Sequence, residues 1–132
     1  MKDYRLRKLG EVHGWIVWLV DGERIRNEVD IDFTCGGHNL VYDWYIPVGE
    51  IWIDDALGPL DRTATLLHEL VEYDLMLHRR WNYDRGHDVA SRAEAPFRER
   101  LARRRQAAID VPAAARAFDA WRAAFLSARR RS

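Results

Sequence analysis

A histidine and two glutamates lie close together in the segment TLLHELVEYDL, residues 65–75. On a helix, His68 and Glu72 project from one face, one turn apart, so both can bind the same ion. The string HELVE differs from the zinc-binding pattern HExxH because Glu72 stands where the second histidine belongs. Zinc accepts carboxylate oxygen as well as imidazole nitrogen. These residues therefore predict a divalent metal site, with zinc as the expected ion and Glu69 as the candidate catalytic base that takes a proton from water.

A third protein ligand is expected on the next helix, where YDRGHDVASRAE (83–94) offers two candidates. His87 is the chemical choice, because it completes a set of two histidines and one glutamate. Glu94 is the geometric choice, because simple antiparallel packing of the two helices places it closer to the level of His68 and Glu72. The pattern leaves both residues as candidate ligands.

Four other reactive side chains have simpler interpretations. His78 lies near the end of the first long helix and is expected to interact with the helix dipole. His13 is interpreted as a histidine at a strand edge. His38, in CGGHN, is either a loop histidine or a lid over a site, and the loop is the favoured interpretation. Cys35 is expected to be a small buried residue, since no base has a fixed relation to it.

Short apolar runs in the first half of the chain predict strands. An alternating pattern, as in RIRNEVDIDFT, is typical of a half-buried strand, and the dipeptide Asp21-Gly22 is typical of a hairpin turn. The expected product is a small antiparallel or mixed sheet of three to four strands within residues 13–54. The four predicted strands cover residues 13–20, 24–34, 40–47 and 50–55.

Three helices are predicted in the second half. The first begins with Asp61 as N-cap and runs to about Arg80. The second begins at 82 or 83 and continues to about 105, with a possible bend at Pro96. The third, rich in arginine, covers about 111–130. Since the sheet comes first and the helices follow, the fold class is α+β, with residues 1–132 as a single domain and the metal-site helices at about 61–105.

The run EIWID, a loop with Pro59, and then TATLLHELVE resembles the core of the zincin metallopeptidases. It is most similar to small intracellular proteins of the ImmA/IrrE type and to minimal gluzincins, over about residues 13–95. The resemblance implies metal ligation by His68, catalysis by Glu69, and a substrate strand along the edge of the sheet at EIWID. In gluzincins a glutamate on a later helix is the third ligand, which would match Glu94. If Glu72 supplies the carboxylate instead, His87 restores two histidines and one glutamate.

Composition limits the other functions. The single cysteine and the absence of an apolar leader or membrane-length run indicate a cytoplasmic protein without a membrane partner. Residues 1–90 hold 10 basic and 17 acidic side chains, whereas residues 91–132 hold 11 and 4.

The main hypothesis is a zinc-dependent peptidase with a protein or peptide substrate. The alternative is a non-catalytic binding module on the same scaffold, whose arginine-rich tail contacts nucleic acid or an acidic protein. A di-iron carboxylate bundle is disfavoured by the β-rich first half.

Overall fold

The computed structural model describes residues 3–131 and confirms the α+β class. Within these residues a small sheet is followed by three long helices, and one short helix lies among the strands. The elements are β1 (Arg5–Val12), β2 (Trp15–Val20), α1 (Gly22–Glu28), β3 (Gly36–His38), β4 (Glu50–Asp54), α2 (Pro59–Arg79), α3 (Tyr83–Ala102) and α4 (Val111–Arg131).

The sheet is mixed, with strand order β1-β2-β4-β3. β1 and β2 form an antiparallel hairpin, β2 runs parallel to β4, and β3 pairs with β4 antiparallel, with His38 opposite Ile51. β4 is therefore an inner strand. The expectation that its EIWID segment forms an edge for a substrate is wrong, because β3 occupies that side.

The two faces of the sheet pack against different layers. Along β4, Ile51 and Ile53 belong to the cluster formed with the long helices, whereas Trp52 belongs to the cluster on the opposite face. This alternation follows from the two-residue period of a strand. The helical cluster includes Val17, Leu66, Leu67, Leu70, Val71, Ala90, Phe97, Ala114 and Phe118, and the opposite cluster includes Tyr4, Val20, Ile25, Phe33, Tyr45 and Ile46.

The strand predicted at 24–34 is wrong. The carboxylate of Asp21 accepts a hydrogen bond from the backbone N–H of Arg24 at 3.1 Å, so Asp21 and Gly22 begin α1 instead of a hairpin turn. Ile25 is fully buried in the cluster on this face, but Ile31 is 81% exposed. The alternation of apolar residues here therefore does not describe one face of a sheet.

The strand predicted at 40–47 is also wrong, since this segment forms consecutive turns. The backbone N–H of Tyr42 donates to the carbonyl of His38, and that of Ile46 donates to the carbonyl of Tyr42, both at 3.0 Å. Two strands lie where the sequence does not predict them: β1 is largely polar, and β3 is the short segment Gly36–His38. Local bonds and cross-strand pairing outweigh propensity in these places.

The helices in the second half are confirmed, with shifted ends. α2 begins at Pro59 with Gly58 as its N-cap, and ends before Arg80, whose φ of 58° is left-handed. α3 is capped by Asn82, whose side chain accepts from the Arg85 N–H, and it continues through Pro96. Within residues 3–131, no helix combines the length and the apolar character needed to cross a bilayer.

Candidate metal centre

The central part of α2 is enclosed by the sheet, α3 and α4, and it buries the imidazole of His68 and the carboxyl groups of Glu69 and Glu72. His68 is 8% exposed, Glu69 7% and Glu72 2%, and apolar neighbours such as Leu67 and Leu70 fill the rest of this stretch. Buried charged groups are costly unless they are paired or bind a metal. The burial therefore requires partners from other elements, and these come from α3 and β3.

Three potential metal ligands from α2 and α3 form a triangle. Nε2 of His68 lies 3.1 Å from Oε2 of Glu72, and Nδ1 of His87 lies 3.1 Å from each of these two atoms. Zinc bonds of about 2.0–2.1 Å in a tetrahedron separate neighbouring ligand atoms by roughly 3.3 Å. The triangle therefore has the size of one face of a zinc coordination tetrahedron.

The other nitrogen of His68 is bonded outside this triangle. Its Nδ1–H donates to Oε1 of Glu94 at 2.9 Å, since an ionised carboxylate only accepts. Arg98 donates to Oε2 of Glu94 through Nε and Nη2, at 3.1 and 2.8 Å, and Asp61 accepts from its Nη1. When the ring is neutral, its proton is therefore on Nδ1, and the lone pair of Nε2 faces the other two atoms of the triangle. This is the outer-shell arrangement in which a carboxylate orients a metal-binding histidine.

The two ligand candidates on α3 thus have different positions. His87 supplies the third atom of the triangle, and Glu94 lies at the opposite ring nitrogen of His68. The sequence predicts the two residues as alternatives at one position. It missed that a histidine offers two nitrogens, so both residues can serve the same centre in different ways.

The electrostatics of the site favour a positive charge at its centre. Burial alone would lower the pKa of His68, but its hydrogen bonds with Glu72 and Glu94 outweigh burial and raise the pKa to about 10. Burial would likewise raise the pKa of Glu72, yet its bonds with His38 and His68 hold that pKa well below its usual range. A proton on His68 supplies the charge, and a metal cation can replace it there.

Glu69 lies beside these groups on α2. One of its oxygens lies within 4.8 Å of ligand atoms of His38 and Glu72, and its Oε2 has no hydrogen-bond partner among the described residues. Burial, and after it the charge of Glu72, raise the pKa of Glu69 to about 8. Its Oε2 is therefore a buried oxygen without a hydrogen bond from any described residue, beside His38 and Glu72.

His38 is a member of the site that the sequence interpretation placed in a loop. It lies in β3, is fully buried, and its Nε2 is 2.9 Å from Oε1 of Glu72. Two glycines bring β3 to this position. A Cβ on Gly36 would lie 2.7 Å from the carbonyl oxygen of Trp52, and one on Gly37 would lie 2.5 Å from the Tyr42 ring. The sequence CGGH offers His38 as a candidate, but its hydrogen-bond partner, Glu72, is 34 residues further along the chain.

The site opens to solvent on the side of α3. The His87 side chain is 46% exposed, and the Tyr83 hydroxyl lies 3.2 Å from its Nδ1. A cleft of about 310 Å³ leads to the triangle. Its walls include Cys35, Gly36, Gly37, Tyr42, Thr65 and Ser91, in addition to the site residues.

The remaining reactive side chains supply no atom to the triangle. His78 is 2.8 Å from Asp74 near the end of α2. His13 lies in the turn between β1 and β2 and contacts Asp119 of α4 at 2.6 Å. Cys35 is exposed and has a positive φ of 64°, so the expectation of a buried cysteine is wrong.

No protein-family model, curated protein or solved structure matches this chain.

Proposed function

We propose that the protein is a metal-dependent hydrolase of the peptidase class, with a zincin-like site that binds one divalent ion, zinc by preference. His68, Glu72 and His87 are the protein ligands. The observation that carries the proposal is the triangle of Nε2, Oε2 and Nδ1, with 3.1 Å between each pair of atoms. Two imidazoles and one carboxylate match a ligand set of known catalytic zinc sites.

The triangle requires a proton or a cation between its three atoms. When both imidazoles are neutral and His68 donates from Nδ1 to Glu94, its Nε2 faces an oxygen of Glu72 with lone pairs on both atoms. Such an arrangement is repulsive unless a proton or a cation lies between them. A divalent ion satisfies all three atoms at once.

Glu69 is the proposed general base. Its Oε2 is buried, lacks a hydrogen-bond partner among residues 3–131, and lies 3.9 Å from Nε2 of His38. Glu69 is on the same stretch of α2 as two of the ligands. A bound divalent ion would supply Lewis acidity, lowering the pKa of water and polarising a carbonyl. Glu69 would accept the proton of that water, and Glu94 with Arg98 would hold the His68 ring in place.

The proposed substrate is a peptide segment in the cleft. β3 contributes Gly36 and Gly37 to one wall, and α3 contributes His87 and Ser91 to the other. β3 is the outer strand of the sheet on this side, and an extended peptide can add to an outer strand by backbone pairing. The candidate position for the substrate is thus β3 instead of β4.

Metal content tests the first part of the proposal. Protein purified without added metal is expected to retain close to one zinc per chain, measured by elemental analysis, and His68→Ala and His87→Ala are expected to lose it. His78→Ala is the matched control, because His78 lies on the same helix but is bonded to Asp74. Equal metal in wild type and His68→Ala would refute the site.

Peptide cleavage tests the second part. Wild type is expected to cleave members of a peptide library, detected by mass spectrometry, and Glu69→Gln is expected to bind zinc but to lose cleavage. If zinc binds and Glu69→Gln cleaves as fast as wild type, Glu69 is not the base. Zinc binding without any cleavage would favour the non-catalytic binding module.

A further inference from the structure

The two oxygens of Glu72 have different partners. Oε2 belongs to the triangle with His68 and His87, whereas Oε1 lies 2.9 Å from Nε2 of His38. A carboxylate can bind a metal through one oxygen or through both. The contact with His38 bears directly on that choice, because a donor on Oε1 competes with a metal for the same lone pairs.

The surroundings of His38 determine which nitrogen carries its proton. The ring is fully buried, and within residues 3–131 its Nδ1 has no hydrogen-bond partner. A buried N–H without an acceptor is less tolerated than an unpaired lone pair. The neutral ring therefore carries its proton on Nε2 and donates it to Oε1 of Glu72.

We propose that His38 is a positioning residue that restricts Glu72 to binding the metal through Oε2 alone. This inference rests on the proposed metal centre and assigns β3 a part in it. By occupying Oε1, His38 leaves the ion with three protein ligand atoms and an open position for water or substrate. Catalytic zinc sites keep such a position open.

The fold holds His38 in one orientation. Its ring stacks on Tyr73 of α2, with 4.8 Å between ring centroids and an angle of 24° between their planes. Gly36 packs closely on β4, and Gly37 packs closely on Tyr42. A side chain at either position would push β3 out of place. β3 therefore places His38 between the ring of Tyr73 and Oε1 of Glu72.

A second metal ion is the competing explanation for the same residues. His38, Glu69 and Glu72 each offer one ligand atom within 4.8 Å of the others. An ion there would require a lone pair on Nε2 of His38, which moves the proton to Nδ1, where the described residues offer no acceptor. It would also occupy the Glu69 oxygen that the proposed base requires. One ion per chain agrees with a donating His38, and two ions would overturn it.

Cobalt(II) titration of the metal-free full chain tests the role of His38. Cobalt substitutes for zinc, and its visible absorption weakens when the coordination number rises from four to five. Wild type is expected to bind one equivalent with strong absorption. His38→Ala is expected to bind it about 10- to 100-fold more weakly, the usual loss for an outer-shell partner. Its absorption per bound ion should also be weaker, because both oxygens of Glu72 become available.

Variants separate positioning from a general structural effect. His38→Gln keeps an N–H donor near the position of Nε2 and is expected to retain most of the wild-type affinity and absorption. His13→Ala, which removes an exposed histidine in a turn, should leave both unchanged. If His38→Ala does not fold, as judged by circular dichroism, His38→Leu replaces it by filling the volume of the ring without a donor.

The outcomes distinguish this inference from the proposed function. If wild type binds no cobalt, the metal centre and the role of His38 both fail. If wild type binds one equivalent and the donor-free variant has the same affinity and absorption, only the role of His38 is wrong. Two equivalents in wild type would also refute it.

Discussion

Two groups of charged side chains on the three long helices differ in burial and in partners. The metal centre gathers His68, Glu69 and Glu72 below 10% exposure. The arginine–aromatic cluster lies near the turn between the helices, where Arg85 stacks on Trp81, with its guanidinium carbon 3.6 Å from the ring centroid. Arg79 and Arg129 lie over Phe125, at 5.3 and 5.5 Å.

The difference shows what burial requires of a charge. Solvent screens the exposed arginines, so several like charges can lie together, and each stacks its guanidinium on a ring at little cost. The carboxylates and imidazoles of the metal centre have no such screening, and every contact restricts a proton or a lone pair. A specific ligand is therefore expected at the buried group, and the exposed group is explained without one.

The largest effect is expected from Glu72→Gln. The substitution keeps the shape of the side chain but removes the charge of the oxygen shared by His68 and His87. Zinc affinity should fall more than about a hundredfold, beyond the loss usual for an outer-shell residue. Competition with a chelating indicator measures it. Arg85→Gln also changes the charge by one unit and is the control, which should bind zinc as wild type does. Equal zinc affinity of Glu72→Gln and wild type would show that the buried group does not bind the ion.

Much of this comparison could be predicted from the sequence, but not all of it. The helical spacing of His68 and Glu72 determines that they share a face, and Asn82 marks the start of the next helix. These signals are local. Simple antiparallel packing predicts Glu94 at their level, however, and does not predict that His87 reaches them. His38 reaches the centre through sheet pairing with β4, and the one-dimensional pattern around Gly36 contains no record of that pairing.

The strand errors have a related cause. Asp21-Gly22 is compatible with a hairpin turn and with a helix N-terminus, and the bond from Arg24 to the Asp21 carboxylate selects the helix. The segment 40–47 is rich in aromatic residues, as strands are, but Tyr42 and Tyr45 pack on Phe33 from consecutive turns. A segment rich in aromatic and β-branched residues is expected to be partly buried. Its composition does not decide whether the backbone is a strand or a series of turns.

Removing the metal should lower the free energy of unfolding, and only in protein whose buried metal ligands are intact. A ligand that binds only the folded state adds about 2.7 kcal/mol when its free concentration is 100 times its Kd. Urea unfolding with buffered zinc at that level, and then with a chelator, is expected to show this difference for wild type. His87→Ala should show none. A zinc effect of the same size in His87→Ala would place the binding site elsewhere.

A smaller effect is expected from Glu94→Gln. The amide oxygen can still accept from Nδ1 of His68, so the ring keeps its orientation, but the negative charge that strengthens the His68 ligand is lost. Zinc affinity should fall about 10-fold, at the low end of the range for outer-shell partners. The same competition assay measures it, with Glu99→Gln, an exposed residue of the same helix, as the control. A loss as large as that of Glu72→Gln would show that Glu94 itself binds the ion.

The smallest effect is expected from the arginine–aromatic cluster. Arg85→Ala removes the guanidinium above Trp81, an exposed contact worth about 0.5–1 kcal/mol, and should lower the free energy of unfolding by no more than that. Zinc affinity should not change. Filter binding of labelled DNA at several salt concentrations tests the alternative that this cluster has an anionic partner, since phosphate contacts make affinity fall steeply with salt. DNA binding that is salt-dependent in wild type and weakened by Arg85→Ala would mean that the exposed group also has a ligand. The two regions would then differ in the chemistry of their ligands and not in whether burial requires one.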